Sequence, residues 1–431
     1  MEKLNREITP HFGEINKVDI PPHERLDLDN GIPVYIIQAG TQDLVKIEFI
    51  FPAGPVFENK PLLASATNYM LNEGTAKHSG AEIADMIDNY GAYFQAEHSD
   101  DNAFLSIFTL NKHLGKILPV ISEILHESIF PEKELDIFKK NSIQRLSVNN
   151  EKVDFIARNH FRELLFGSDH PYGHHVVADD YERLTRADLV SFFKTHYRLS
   201  LCKILVAGKM SKEMPQLLND YFGKEKSDGL HIQSQIISNP FTFKAVKKNI
   251  QKEDAVQSAI RIGKRLFNKK HPDYHGMQIL NTILGGYFGS RLMTNIREDK
   301  GYTYGIGSGL ASNLQEGFFY ISSEVGNAVC EKAIHEIYFE INRLRESLVP
   351  NEELQLVKNF LMGSFLRSID GPFELAARLK TLILFELEAD YYTQYTEKIK
   401  SIDPAEIQYL ANRYLQADSM VELVVGKQES E

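Results

Sequence analysis

Two hydrophobic periodicities follow one another along the chain. Residues 45–51 alternate apolar and polar side chains with period two, and an apolar run at 34–37 follows Asn30-Gly31, a pair typical of hairpin turns. Stretches with apolar residues at helical spacing come next, such as 114–127. Strands followed by helices predict α+β domains, in which helices cover a mostly antiparallel sheet.

The pattern occurs twice. Thr185 and Asp403 each suit a helix N-cap with an acidic residue three positions on, and each helix leads to an apolar strand ending at Gly208 or Gly426. The two glycines are 218 residues apart (426 − 208 = 218). A duplication follows, and polar segments within 221–240 read as a linker. We therefore predict two homologous domains, over 1–220 and 241–431.

Composition narrows the class of protein. Hydrophobic residues make up 43% of the chain and charged residues 25%, as in globular proteins without disorder bias. The net charge of −11 disfavours a nucleic-acid surface, because phosphate binding requires clustered Lys and Arg. The cysteines, Cys202 and Cys330, lie in apolar stretches and are interpreted as buried thiols rather than a disulfide.

Targeting and membrane segments are not evident in the sequence. Residues 1–10 are charged and contain no apolar core, so we expect no secretory signal. No run of about 18 apolar residues occurs, which argues against a membrane span. We expect a cytoplasmic protein, or a periplasmic one if a leader has been removed.

A search for a metal-binding motif finds neither H-E-x-x-H nor H-x-x-E-H among the 15 His. Those spacings place two imidazoles and a carboxylate on one helical face. His126 and His335 are each followed by Glu, but neither has a second His four residues on. His174 and His175 are adjacent in a predicted loop, where neighbouring side chains point apart. We interpret that pair as structural rather than as a metal site.

The remaining candidate chemistry is a glycine-rich segment at 305–309. It hints at a phosphate-binding loop, but it lacks the Lys-Ser/Thr of a P-loop and the strand-to-helix context. A strand with glycines at points of close backbone approach is the favoured interpretation. No G-x-S-x-G elbow or cysteine-nucleophile motif accompanies it.

An ordered set of short segments resembles the pitrilysin/insulinase peptidase family, especially its two-domain branch that includes mitochondrial processing peptidase. Each segment alone is a weak signal, but their order along nearly the whole chain matches that of the family. The segments are Leu-Asp-Asn-Gly-Ile-Pro-Val at 28–34, Phe-Pro-Ala-Gly at 51–54, Met-Leu-Asn-Glu-Gly-Thr at 70–75, Asn-Tyr-Gly-Ala-Tyr at 89–93, His-Pro-Tyr-Gly at 170–173 and Leu-Val-Ala-Gly at 205–208.

The zinc-binding motif of that family is degenerate here. Its H-x-x-E-H aligns with residues 65–69, which read Ser-Ala-Thr-Asn-Tyr. Ser65 is a poor ligand, the Asn68 amide cannot act as a general base, and Tyr69 would have to ionise near pH ~10. The family's further Glu ligand should fall in 142–146, which contains no acidic residue. The resemblance therefore implies that this chain binds no metal and that a partner chain carries the zinc.

The second half retains another family motif. Leu-Gly-Gly at 284–286 and Ser-Arg-Leu at 290–292 precede Arg297 and Tyr304. In two-chain members of the family, the matching Arg and Tyr reach the zinc-containing domain of the chamber. Their N–H and O–H groups suit a peptide carbonyl that becomes negative during water attack. On spacing alone, Arg297 could equally be a solvated residue paired with a neighbouring carboxylate, and Tyr304 an ordinary strand aromatic.

The resemblance implies a non-catalytic subunit of a two-chain zinc metallopeptidase. The chain would close the chamber, bind peptide at an exposed sheet edge, and supply Arg297 and Tyr304 to a homologous partner with an intact H-x-x-E-H. In isolation it could form a homodimer. Two alternatives stay open: a structural or peptide-holding scaffold protein of the same fold without a proteolytic role, and an autonomous zinc peptidase with displaced ligands.

Overall fold

The computed structural model describes residues 23–224 and 243–427, and the strands of these residues form two sheets. The strands are β1 (Glu24–Asp27), β2 (Pro33–Gln38), β3 (Leu44–Phe51), β4 (Tyr93–His98), β5 (Ala103–Leu110), β6 (Lys203–Gly208), β7 (Lys247–Gln251), β8 (Gln257–Leu266), β9 (Thr303–Ser312), β10 (Gly317–Gly326) and β11 (Val421–Gly426). The first sheet has the strand order β1-β2-β6-β3-β5-β4, and the second has β7-β11-β8-β10-β9.

The two sheets share one pairing scheme. In the first sheet β6 runs parallel to β2 and antiparallel to β3, and in the second β11 runs parallel to β7 and antiparallel to β8. The other strand pairs of both sheets are antiparallel. Gly208 and Gly426, which revealed the duplication in the sequence, each end the equivalent strand. The predicted α+β class with two similar, mostly antiparallel sheets is therefore confirmed.

Helices cover the sheets in both halves. The predicted caps are present: Thr185 and Asp403 each accept the backbone N–H three residues on, at the starts of the helices that follow them. The helices are α1 (Leu63–Tyr69), α2 (Gly80–Asp88), α3 (Leu114–Glu127), α4 (Glu132–Asn149), α5 (Val153–Phe166), α6 (Ala178–Glu182), α7 (Arg186–His196), α8 (Met214–Phe222), α9 (Tyr274–Asn281), α10 (Cys330–Glu346), α11 (Asn351–Arg367), α12 (Pro372–Phe385), α13 (Tyr391–Ser401) and α14 (Pro404–Tyr414), with π-helical turns at Thr282–Gly286 and Met293–Asp299.

Each half lends one helix to the other half's sheet. Helix α5 packs against the second sheet, where Phe161 is buried with Leu423 of β11. Helix α12 packs against the first sheet, where Leu379 is buried with Leu205 of β6. Both helices have 14 residues, and they occupy corresponding places in the two copies. This exchange buries apolar surface from both halves and joins them into one body.

Ion pairs reinforce the exchange. Glu48 of β3, only 2% exposed, lies 3.0 Å from Lys46 and 3.1 Å from Lys380 of α12. Burial acts to raise the pKa of Glu48, but the cations of Lys380 and Lys46 outweigh it and hold that pKa below its ordinary value. Across the other contact, Arg261 of β8 pairs with Asp154 of α5. Each lent helix is therefore held by a charge pair as well as by apolar packing.

Three further expectations bear on the chain as a whole. Helix α8 continues to Phe222, two residues into the predicted 221–240 linker, and 225–240 lie outside the described residues. The domain limits therefore stay a prediction. Cys202 and Cys330 are buried free thiols, as expected. Among the residues described, no helix combines the length and the apolar character that crossing a membrane requires.

Candidate active site

Helix α1, which carries the degenerate motif, begins on a buried carboxyl group. The side chain of its N-cap residue, Leu62, accepts no hydrogen bond from the N–H groups of the first turn. Leu62 itself adopts the left-handed conformation, with φ 73°. Instead the carboxylate of Glu58 accepts the N–H groups of Leu62 at 3.2 Å and Ala64 at 2.9 Å. Burial nevertheless raises the pKa of Glu58 to about 7. The start of α1 therefore rests on a group that titrates near neutral pH.

The three motif positions on α1 have three different sets of partners. The Ser65 hydroxyl donates to the Leu62 carbonyl at 3.2 Å. Asn68 is 2% exposed and its Nδ2 donates to the Tyr197 hydroxyl at 3.2 Å. The Tyr69 ring is half-exposed and lies 5.0 Å, between centroids, from that of Phe138 on α4. Each side chain is thus engaged by the fold of the first half.

The residues of this region do not fit the zinc ion of the family. Zinc in proteins is held by thiolate, imidazole or carboxylate groups, whereas α1 offers a hydroxyl, an amide and a phenol. The amide nitrogen of Asn68 is already used by Tyr197. Segment 142–146 of α4, where a further carboxylate was expected, carries Ser142 and Arg145 instead. We therefore derive no metal chemistry from this site.

The motif of the second half lies on the surface instead. Arg297 projects from the π-helical turn Met293–Asp299, and its guanidinium carbon lies 4.6 Å from the ring centroid of Phe288 and 5.8 Å from that of Tyr304. Tyr304 is 94% exposed and Phe288 62% exposed. Among the described residues, no carboxylate forms an ion pair with Arg297, so the alternative of a pair with its acidic neighbours is not found there. We call Phe288, Arg297 and Tyr304 the Arg–aromatic cluster.

The other residues of that motif support the cluster from beneath. Arg291 is 9% exposed, and its guanidinium donates to both carboxylate oxygens of Glu353 on α11 at 2.8 and 2.9 Å. Gly285 packs so closely on β9 that an added Cβ would lie 2.7 Å from the Ser308 nitrogen. The side chain of Asn281 donates to the Ser308 carbonyl at 3.3 Å. The motif thus fixes two π-helical turns against β9, and such turns are frequent at functional sites.

Phe288 was missed by the reasoning from sequence. The residue lies in a Gly-Gly-Tyr-Phe-Gly run, and only its exposure in the fold separates it from an ordinary core aromatic. A large apolar side chain between glycines was the available signal, since glycines on both sides leave little to cover it. Its ring forms one wall beside the guanidinium of Arg297.

The two motif regions do not meet within the chain. In the part of the chain that the structure describes, no hydrogen bond, ion pair or ring contact joins Ser65, Asn68 or Tyr69 to the Arg–aromatic cluster. A cleft of about 1040 Å³ does open between the halves, and the side chains of both motif regions are absent from its lining. Lining residues from the two halves include Val56 and Leu314. The Arg–aromatic cluster faces solvent.

The adjacent histidines of the predicted loop have different carboxylate partners, although their rings stay nearly parallel rather than pointing apart. His174 Nε2 lies 3.3 Å from a carboxylate oxygen of Asp180, whereas His175 Nδ1 lies 3.5 Å from one of Glu163. The two rings are 6.5 Å apart between centroids. His175 instead approaches His160 and Glu163 of α5, a grouping that sequence reasoning did not foresee because its members are separated along the chain.

The sequence of the chain is similar to that of known peptidases. Two family descriptions match the chain: Insulinase (Peptidase family M16) over residues 34–175, and Peptidase M16 inactive domain over residues 183–361. An uncharacterized zinc protease of Bacillus subtilis is 22% identical over 353 residues, covering 81% of this chain and 85% of that protein. A probable mitochondrial-processing peptidase subunit beta of Arabidopsis thaliana is 20% identical over 421 residues, covering 94% and 79%.

A solved structure supports the fold. The crystal structure of a peptidase M16 inactive domain from Pseudomonas fluorescens matches with a TM-score of 0.84 and 23% sequence identity, covering 95% of this chain and 99% of that chain. At this identity the likeness concerns the fold alone.

Proposed function

The chain belongs to the insulinase (M16) peptidase family, and we propose that it is a non-catalytic subunit of a two-chain zinc metallopeptidase. One observation carries the proposal: the chain lacks zinc ligands on α1, yet it exposes the Arg–aromatic cluster, whose arginine has no ion-pair partner among the described residues. A homologous partner with an intact H-x-x-E-H would bind the zinc. This chain would close the chamber and present Arg297 and Tyr304 to the bound peptide.

The Arg–aromatic cluster has the chemistry that this role needs. Water attack on a peptide bond places negative charge on the carbonyl oxygen, and donors already in place stabilise that charge. The guanidinium of Arg297 is permanently charged, and the rings of Phe288 and Tyr304 limit the directions it can take. The exposed Tyr304 hydroxyl is a second donor. Closure onto a partner would bring both groups to the partner's substrate.

Peptide binding would use a sheet edge. Strand β4 ends the strand order of the first sheet and pairs there with β5. Helix α1 packs close to β4, so a peptide added to this edge would run past the motif helix. Main-chain hydrogen bonds along an edge give affinity with little sequence demand, which suits unfolded or short peptides as substrates.

The proposal is tested by peptide hydrolysis with metal analysis. The purified chain alone, the H-x-x-E-H homologue of the same cell alone, and their equimolar mixture are assayed with a set of unstructured peptides. We expect zinc-dependent cleavage in the mixture well above the sum of the separate chains. Cleavage by this chain alone that depends on Ser65, Asn68 or Tyr69 would instead establish the autonomous peptidase.

The scaffold alternative gives a different result in the same experiment. A structural or peptide-holding protein would bind peptide or partner without adding to hydrolysis. Native mass spectrometry of the same samples distinguishes a heterodimer from a homodimer, because the two assemblies differ in mass. A stable heterodimer whose cleavage rate equals that of the homologue alone would overturn the proposed catalytic contribution and favour the scaffold.

A further inference from the structure

A second group of metal-ligating side chains lies on α5, away from the degenerate motif. His160 and Glu163 are one helical turn apart and share a face, and His175 reaches them from the connection to α6. His160 Nδ1 lies 2.9 Å and His175 Nδ1 3.5 Å from the same oxygen, Oε2, of Glu163. One candidate ligand atom from each of the three residues falls within 4.8 Å of the others.

The backbone of the α5–α6 connection holds His175 in this place. The guanidinium of Arg162 donates from Nε to the Tyr172 carbonyl at 2.7 Å. The backbone N–H of His174 donates to the His170 carbonyl at 2.8 Å. Gly173 passes so close to Gly167 that an added Cβ would lie 2.2 Å from its carbonyl oxygen. The connection is therefore folded tightly back onto α5, and the position of His175 does not depend on the ion.

One nitrogen in the group lacks a hydrogen bond within the described part of the chain. His175 Nδ1 is shielded from solvent and has no hydrogen-bond partner among residues 23–224 and 243–427, although it faces the Glu163 carboxylate. Its 3.5 Å separation from Glu163 Oε2 is too long for a good hydrogen bond. Two ligands of a tetrahedral zinc, with bonds of about 2.1 Å, lie about 3.4 Å apart. The His160 contact would have to open by only about 0.5 Å to reach the same spacing.

From this geometry we propose that His160, Glu163 and His175 bind a zinc ion, with water in the fourth position. Two imidazoles and one carboxylate are a donor set that zinc takes in proteins. The ion would fasten the α5–α6 connection to α5, the helix that the first half lends to the second sheet. The inference is independent of the proposed subunit role, because it involves neither α1 nor the Arg–aromatic cluster.

The rival explanation is a metal-free network in which Glu163 accepts hydrogen bonds from the two imidazoles. Zinc titration of the metal-free full-length chain, by calorimetry against a competing chelator, separates the two. Three samples carry the test: the unchanged chain, His175→Ala, and the nearly isosteric Glu163→Gln. The exposed His335 on α10 supplies the matched control, His335→Ala, because it removes one imidazole elsewhere. Circular dichroism verifies that every variant is folded.

We expect one equivalent of zinc in the unchanged chain and in His335→Ala. Loss of a ligand in His175→Ala or Glu163→Gln should weaken binding by about 100-fold or more, beyond the 10–100-fold typical of outer-shell changes. Zinc that persists in a Ser65→Ala/Asn68→Ala variant would support the assignment to α5. Absence of zinc binding, equal affinity in His175→Ala and His335→Ala, or zinc lost only in the Ser65/Asn68 variant would each overturn it.

Discussion

Helix α1 and the segment from Phe288 to Tyr304 are the two motif regions of this chain, and the fold uses them in opposite ways. On α1 the altered positions are engaged by their own half: Asn68 is buried against Tyr197, and Tyr69 packs on Phe138. In the other segment, Tyr304 is 94% exposed, and the Arg297 guanidinium lies over the rings of Phe288 and Tyr304 with no ion-pair partner among the described residues. A side chain that is packed within the fold can take a structural role in place of a catalytic one. An exposed side chain with few structural contacts instead indicates binding to a partner or substrate.

Two arginines of one motif show the same contrast at close range. Arg291 is buried and bidentate to Glu353, as expected of a structural residue. Arg297, six positions on, is partly exposed, and its guanidinium lies over the rings of Phe288 and Tyr304. Proximity in sequence therefore says little about role. Burial and partners distinguish an arginine that holds the segment from one that the segment displays.

The largest expected effect is on catalysis in the two-chain mixture. Arg297→Ala should lower kcat by about 100–1000-fold, the loss typical of one removed oxyanion donor. Tyr304→Phe should also lower kcat, because it removes the second donor. Stability should change by no more than about 0.5 kcal/mol, because the side chain is on the surface. The measurement is steady-state kinetics together with urea unfolding of each variant.

Arg158→Ala is the matched control for that prediction. Arg158 is exposed on α5, and its guanidinium carbon lies 5.4 Å from the centroid of the Phe155 ring. The substitution therefore removes a similar arginine, also placed over an aromatic ring, at a site elsewhere. Its kcat should be unchanged. A rise in KM with unchanged kcat in Arg297→Ala would contradict the account, since it would indicate ground-state binding rather than transition-state stabilisation.

The structural arginine should behave in the opposite way. Arg291→Met leaves the partly buried carboxylate of Glu353 without its partner and should destabilise the chain by about 3 kcal/mol. Urea unfolding of the isolated chain gives this value. An Arg291→Met variant as stable as the unchanged chain would mean that the two arginines do not differ in the way described.

Glu58 makes the stability of the α1 region depend on pH. Its pKa of about 7 in the folded chain lies above the ordinary 4.5, so the folded state binds more protons between these values. Stability contributed by the protonated group is therefore lost as pH rises from about 4.5 to about 7, by about 3 kcal/mol at most. Glu58→Gln should remove that loss. Parallel unfolding curves of both proteins between pH 5 and pH 8 would argue against it.

The smallest effect concerns the altered motif itself. Tyr197→Phe leaves the buried Asn68 amide without its acceptor and should cost about 1 kcal/mol. Activity of the two-chain mixture should not change. Loss of activity without loss of stability in this variant would show that the region around Asn68 still takes part in catalysis.

Much of the architecture could be predicted from sequence because duplication leaves a regular record. The 218-residue offset between Gly208 and Gly426 recurs in the structure as equivalent strand ends, and the caps Thr185 and Asp403 begin equivalent helices. Such features are local, since a cap or a strand end depends on a few neighbouring residues. The degenerate motif could also be recognised from sequence, because its residues are consecutive on one helix.

Contacts between distant segments could not be read in this way. The exchange of α5 and α12 between the sheets leaves no periodicity that distinguishes them from helices packed on their own half. The approach of His175 to His160 and Glu163 depends on how the α5–α6 connection folds back. Phe288 required knowledge of exposure, because an aromatic residue is by default expected in a core.

The most direct test of the central claim asks which chain's arginine serves the active site. Two mixtures are compared by kcat: Arg297→Ala of this chain with the unchanged H-x-x-E-H partner, and the unchanged chain with a partner whose corresponding arginine is replaced by alanine. The account predicts a loss of about 100-fold or more in the first mixture. It predicts nearly full activity in the second. The reverse pattern would show that the partner supplies its own donors and would contradict the role assigned to this chain.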